Sequence, residues 1–111
     1  MKVARCGGLW NATRIATLLR DHGLLLFASG LTDPELSMAA SAHFFGWAGL
    51  DLPAALNGPQ YIAERGTGDA AFRAQGDIMR VPAGPGLGIV IPDAIRRSLQ
   101  PVARPRDALP A

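Results

Sequence analysis

Cysteine and lysine occur once each in 111 residues, as Cys6 and Lys2. A single cysteine excludes an intramolecular disulfide, and the two histidines, His22 and His43, have neither HxxxH spacing nor a cysteine cluster to make a metal site. Aromatic residues supply only 6% of the chain, so any core must be aliphatic and rich in alanine. No apolar run reaches the ~20 residues that cross a bilayer, and no charged-then-apolar leader precedes a cleavage site. The expectation is therefore a cytoplasmic protein with no membrane partner. Neither sign of charge dominates: the net charge is +2, and Arg96, Arg97, Arg104 and Arg106 are spaced by Pro101 and Pro105 rather than gathered on an aromatic-laced face. Nucleic acid is not an expected partner, and residues 100–111 read as a disordered tail.

What the chain does have is 13 glycines and 9 prolines, which punctuate it into short elements. Lys2 to Arg5 reads as a short strand or the end of a longer one, broken by Gly7 and Gly8. From Leu9 to His22, the apolar positions Ala12, Ile15, Ala16 and Leu19 repeat at helical spacing, and Gly23 stands where a C-cap glycine belongs. Leu24 to Ala28 is a continuous apolar run bounded by glycines, the pattern of a strand buried on both faces. Asp33-Pro34 offers a cap and a first-turn proline to a second helix, with Leu36, Ala39, Ala40, His43, Phe44 and Trp47 in register until Gly46 and Gly49.

Leu52 to Leu56 reads as a further strand, followed by a turn at Asn57-Gly58-Pro59. Asp77 to Val81 and Gly88 to Ile91 read as two more strands, and Asp93 to Leu99 as a short helix. The early βαβαβ order implies a parallel sheet covered by helices. Three strands leave an open edge, so the unit is expected to need neighbours.

Taken residue by residue, the chemistry is sparse. His22 is expected at a helix C-terminus, where positive charge is favourable, and His43 as a packed, hydrogen-bonded side chain. Cys6 is expected to be a small buried residue rather than a nucleophile. Gly84-Pro85-Gly86-Leu87-Gly88 leads into neither Gly-Lys-Ser/Thr nor a helix, so it reads as a tight backbone turn and not a phosphate cradle. Asp33 and Asp93 are explained by helix starts and Asp51 by a loop. Ten of the 11 basic residues are arginine, which singles out Lys2, because only lysine of the two readily gives up its proton when desolvated.

Lys2-Val3-Ala4-Arg5-Cys6-Gly7-Gly8-Leu9 and the helix ending at His22-Gly23 resemble the sixth strand and helix of the mandelate racemase and muconate lactonizing branch of the enolase superfamily. Gly30-Leu31-Thr32-Asp33-Pro34-Glu35, Leu56-Asn57-Gly58-Pro59 and the Pro82-to-Gly88 motif P-x-G-P-G-L-G resemble its seventh strand and helix, eighth strand and closing segment. The resemblance implies an α/β fold, with residues 1–99 as the C-terminal, incomplete part of a (β/α)7β TIM-like barrel. It also implies Mg2+, held by acidic residues of the third to fifth strands, which this chain lacks, and a small-molecule carboxylate substrate that loses its α proton.

Carried over by position, Lys2 is the catalytic acid/base, and Ser29, Asp33, Ala55 and Asn57 line the substrate pocket, with a plain helix cap as the alternative for Asp33. Dipeptide epimerases of the family carry D-x-D-G-P where this chain has Ala55-Leu56-Asn57-Gly58-Pro59. That departure, with SGLTDPELS, is closer to the branch acting on proline derivatives. Without the metal ligands, the isolated chain is expected to be inactive as a racemase, epimerase or dehydratase. A non-catalytic remnant, a homo-oligomer formed through the open edge, and a protein lacking its N-terminal part remain open at this level.

Overall fold

The computed structural model describes residues 1–58, 60–62 and 74–101. The chain begins extended, with Lys2 at φ −122° and ψ 111°, and turns at once into a 3-10 helix, Val3–Arg5. Helix α1, Leu9–Asp21, leads to strand β1, Ser29–Thr32, and helix α2, Glu35–Ala48, to strand β2, Ala55–Asn57. A two-residue hairpin, β3 Ala74–Gln75 and β4 Ile78–Met79, precedes the short helix α3, Asp93–Ser98. β1 and β2 pair in parallel, with Ser29 opposite Ala55, Thr32 opposite Asn57 and an irregularity between them.

Both long helices form where the periodicity places them. α1 is followed by Gly23 at φ 64°, a backbone state that glycine adopts without Cβ crowding. α2 has strong helix formers in its first half, among them Leu36, Met38, Ala39 and Ala40, carries Glu35 in its first turn where the helix dipole favours an anion, and runs through Gly46 before Gly49 closes it at φ 67°. Gly46 has a packing reason to be small, since a Cβ there would sit 3.1 Å from Val81 Cγ2.

The strand expectations need correction. Lys2 to Arg5 is not a strand: the Arg5 and Cys6 N–H groups donate back to Lys2 and Val3 oxygens at 3.0 Å, which curls the chain. Only Met1 lies in line with the sheet, its amino group donating to Phe27 O and its carbonyl accepting from Ser29 N at 2.9 Å. Leu24 to Ala28 is not doubly buried either, since Leu24, Leu25 and Phe27 are exposed. Apolar surface is buried by a partner, and among the described residues only Met1 and Ala55, whose N–H donates to Ala28 O at 2.9 Å, flank this run.

The expected strand Leu52 to Leu56 starts late, at Ala55, past Pro53, whose nitrogen has no proton for a ladder. Gly88 to Ile91 forms no strand, and Asp77 to Val81 contracts to β4. The intervening segment packs as a coil, with Leu87 and Ile89 against Met38, Ala39 and Ala42 of α2. His43 Nε2 donates to Leu87 O at 3.1 Å, as expected for a packed histidine, while His22 Nδ1 donates to Leu18 O at 2.9 Å at the end of α1. The tail from 102 onward and Pro59 lie outside the described residues.

The core is small. Val3, Ala12, Ala16, Ala28, Phe44 and Phe45 form one cluster between the helices and the sheet, and Met38, Ala39 and Ala42 a second one under the coil, with Leu56 touching both. The Phe44 and Phe45 rings meet edge to face at 5.2 Å between centroids, a favourable quadrupole geometry. Arg20 ties the helices together by donating to Ala48 O at 2.9 Å, a cation at a helix C-terminus. No helix of the described residues is long and apolar enough to cross a membrane.

Candidate active-site face

Side chains alternate across a strand, so the residues that pack on the helices identify the opposite face. Val3, Ala28 and Leu56 pack into the helix-side core. Their neighbours Ser29, Ala55 and Asn57 therefore belong to the face turned away from the helices, the parallel register brings Ser29 level with Ala55, and the Lys2 side chain reaches this sheet at Gly30 O. This face is open: Ala55 and Asn57 are exposed and Ser29 is half-buried, as is Lys2.

Lys2 is the one amine side chain in the sequence. Its Nζ donates to the backbone carbonyl of Gly30, the second residue of β1. Two properties of the local sequence make that contact possible. The 3-10 helix that starts at Val3 leaves Lys2 at the end of the extended segment, with Cys6 Sγ closing the turn onto Lys2 O at 3.2 Å. Residue 30 is glycine, and a Cβ built there would lie 2.8 Å from Asp33 Oδ2. An amine held at a known point can donate a proton or, once deprotonated, accept one from a bound molecule.

Asp33 does not join this face. It is 4% exposed, and its carboxylate turns inward to accept the Leu31 N–H at 2.9 Å and the Ser37 hydroxyl at 3.3 Å. Its own N–H is shared between Leu31 O at 2.9 Å and Asn57 O at 3.3 Å. Nor is it the helix cap: Pro34 holds the N-cap position of α2, with no side-chain cap bond. Gly58 packs against the Asp33 backbone so closely that a Cβ would collide with it. Sequence reasoning missed Gly30, Ser37 and Gly58 as parts of this arrangement. The available signal was Asp-Pro followed by a serine in the first helical turn, the spacing at which a hydroxyl can reach back to the carboxylate.

Among the described residues, no group of three His, Cys, Asp or Glu side chains is placed to hold a metal ion. The two acidic residues nearest the face, Asp33 and Glu35, are both buried. The described residues thus do not fit a magnesium ligand set.

Two parallel strands alternating with two helices make a β/α unit, the class of protein to which the comparisons also point. Residues 1–95 match the enolase C-terminal domain-like family, and the chain belongs to it. It is 35% identical over 97 residues to an L-Lys-D/L-Arg epimerase of Methylococcus capsulatus, covering 84% of this chain and 26% of that protein. It is 33% identical over 90 residues to muconate cycloisomerase 1-1 of Acinetobacter lwoffii, covering 80% and 24%. An o-succinylbenzoate synthase of Geobacillus kaustophilus matches at 26% over 100 residues, covering 90% and 26%. Among solved structures, a dipeptide epimerase from Methylococcus capsulatus complexed with a magnesium ion superposes with a TM-score of 0.67 at 30% identity, covering 82% of this chain and 26% of that one. The chain spans about a quarter of the length of these relatives. The assignment to the mandelate racemase and muconate lactonizing branch of the enolase superfamily, as its C-terminal segment, holds.

Proposed function

We propose that this chain supplies the acid/base half of a site that removes the proton α to a carboxylate, within a racemase, epimerase or dehydratase of the enolase superfamily. In this reading it forms the last strands of a (β/α)7β barrel. The observation that carries the proposal is the Lys2 amine, docked on Gly30 O of β1, the strand that begins at Ser29 and pairs with the strand carrying Ala55 and Asn57. A deprotonated Lys2 takes the α proton and the C–H electron pair moves onto the carboxylate. Return of the proton by the Lys2 ammonium gives exchange on one face, inversion needs an acid on the opposite face supplied from outside this chain, and elimination expels a β substituent that takes a proton as it leaves. Ser29, Ala55 and Asn57 border the substrate, with Asn57 as its polar contact. The enediolate also needs electrostatic stabilisation, which magnesium provides when bound. Since the described residues do not hold it, the 111-residue chain by itself is inactive and works only with residues supplied from outside it.

The substrate reading favours proline derivatives, because Ala55 and Asn57 stand where dipeptide epimerases carry the two carboxylates that hold a substrate ammonium. The 35% identity to the L-Lys-D/L-Arg epimerase supports dipeptides as the second reading. The test is exchange of the Cα proton for deuterium, with magnesium, in a panel of proline derivatives and dipeptides. The protein used carries this chain behind the barrel strands that bear the acidic ligands. Exchange with the first group only, abolished by Lys2→Ala, is expected. Exchange that survives Lys2→Ala would remove the assigned base, and magnesium-dependent exchange by the 111-residue chain alone would overturn its inactivity. A non-catalytic role, in which the open edge joins copies of the chain, requires a concentration-dependent oligomer by size exclusion and no exchange in any context.

A further inference from the structure

We propose that Asp33 is a positioning residue for Lys2: its buried carboxylate fixes the end of β1 so that the Gly30 carbonyl holds the lysine amine in one place. The proposal rests on the reading of Lys2 as the acid/base group and assigns Asp33 no contact with substrate.

A carboxylate is buried at a cost unless its lone pairs are occupied. Asp33, at 4% exposure, meets that condition with groups that bear on the Lys2 acceptor. Oδ2 accepts the Leu31 N–H at 2.9 Å, which belongs to the peptide group whose carbonyl is Gly30 O, the acceptor of Lys2 Nζ. The carboxylate thus takes one end of a single rigid peptide plane and Lys2 the other. Oδ1 is anchored in turn by the Ser37 hydroxyl of α2 at 3.3 Å, and the Asp33 N–H reaches Asn57 O of β2 at 3.3 Å. The plane is therefore referenced to the next helix and the next strand, and not only to its own loop. Gly30 and Gly58 are the residues that allow the approach, because a Cβ at either would strike Asp33. Hydrogen bonds in series through a peptide group polarise one another, so a carboxylate on the N–H side also strengthens the carbonyl as an acceptor for an ammonium.

The chain's amine content gives a direct readout. Lys2 is the sole lysine, so reductive methylation of the full 111-residue chain with 13C-formaldehyde labels two amines, Lys2 Nζ and the N-terminus, resolved by their NMR shifts. In the native chain, Lys2 is expected to react roughly tenfold more slowly than in guanidinium chloride, the factor corresponding to one charge-assisted hydrogen bond. Asp33→Ala is expected to restore the denatured rate to within about twofold, and Asp33→Asn, which keeps an acceptor for the Leu31 N–H, to retain most of the protection. Equal native and denatured rates, or full protection in an Asp33→Ala chain whose far-UV circular dichroism is unchanged, would overturn the proposal. If Asp33→Ala loses its helical signal, Ser37→Ala decides, with a rise of about threefold expected and no change overturning. The two readings fail separately. Protection that behaves as expected, together with Cα exchange that survives Lys2→Ala, leaves the latch standing and removes the acid/base assignment. Lost Lys2-dependent exchange with no effect of Asp33 on reactivity does the reverse.

Discussion

The two long helices differ more in their surroundings than in their length. α2 buries Glu35, Met38, Ala39, Ser41, Ala42, Phe44, Phe45 and Ala48, spread around most of its circumference, whereas α1 buries only Ala12 and Ala16. On α1, Trp10 is 77% and Leu18 59% exposed, although both are among the most hydrophobic residues of the chain. α2 is sandwiched between the sheet and the coil that carries Leu87 and Ile89, and α1 meets the core through Ala12 and Ala16 and is tied to α2 by the Arg20 bond to Ala48 O. A helix becomes a core element through what covers it, and among the described residues the covering coil packs on α2.

The contrast can be broken most sharply at Phe45, where the Phe45→Ala variant is expected to lose about 3 to 5 kcal/mol, read as the midpoint shift in guanidinium unfolding followed by circular dichroism. That is a large part of a small domain's stability, so a broadened or absent transition is the extreme form of the same outcome. Next in size is Gly88→Ala. Gly88 sits at φ 64°, and a Cβ would lie 2.8 Å from Ala83 O, so the coil that covers α2 has to shift. A loss of about 1 to 3 kcal/mol in the same measurement is expected. Arg20→Ala removes the bond to Ala48 O that joins the two helices and should cost about 1 to 2 kcal/mol. The smallest effect belongs to the uncovered helix: Leu18→Ser should change stability by no more than about 0.5 kcal/mol while raising the concentration at which the chain stays monomeric in sedimentation. A loss at Leu18 comparable with that at Phe45 would mean that α1 is covered after all.

The same distinction explains what the sequence made legible. Helices depend on a local period, and Leu9 to His22 and the segment after Pro34 reveal theirs with bounds within about two residues. Strands of a parallel sheet depend on partners far along the chain. Leu24 to Ala28 has the composition of a doubly buried strand, yet its exposure is set by what lies beside it, and the paired strand begins only at Ser29. Gly88 to Ile91 has strand-like residues that serve better as a lid on Met38. Of the candidate residues, Lys2 stands out in the sequence as the one lysine. Asp33 read as a cap or a pocket residue because spacing says nothing about a torsion that turns its carboxylate toward Leu31 and Ser37. The small residues that admit it, Gly30 and Gly58, look like any other glycines until the backbones are seen to touch.

The two histidine contacts carry a spectroscopic consequence. A carbonyl oxygen can only accept, so the ring nitrogen facing it must bear the hydrogen. His22 meets Leu18 O through Nδ1 and His43 meets Leu87 O through Nε2. When neutral, the two imidazoles are therefore opposite tautomers, distinguishable by their ring 15N shifts without any mutation. One reports on the C-terminal end of α1 and the other on the junction between α2 and the glycine-rich coil, so the chain carries its own pair of labels for watching either helix loosen.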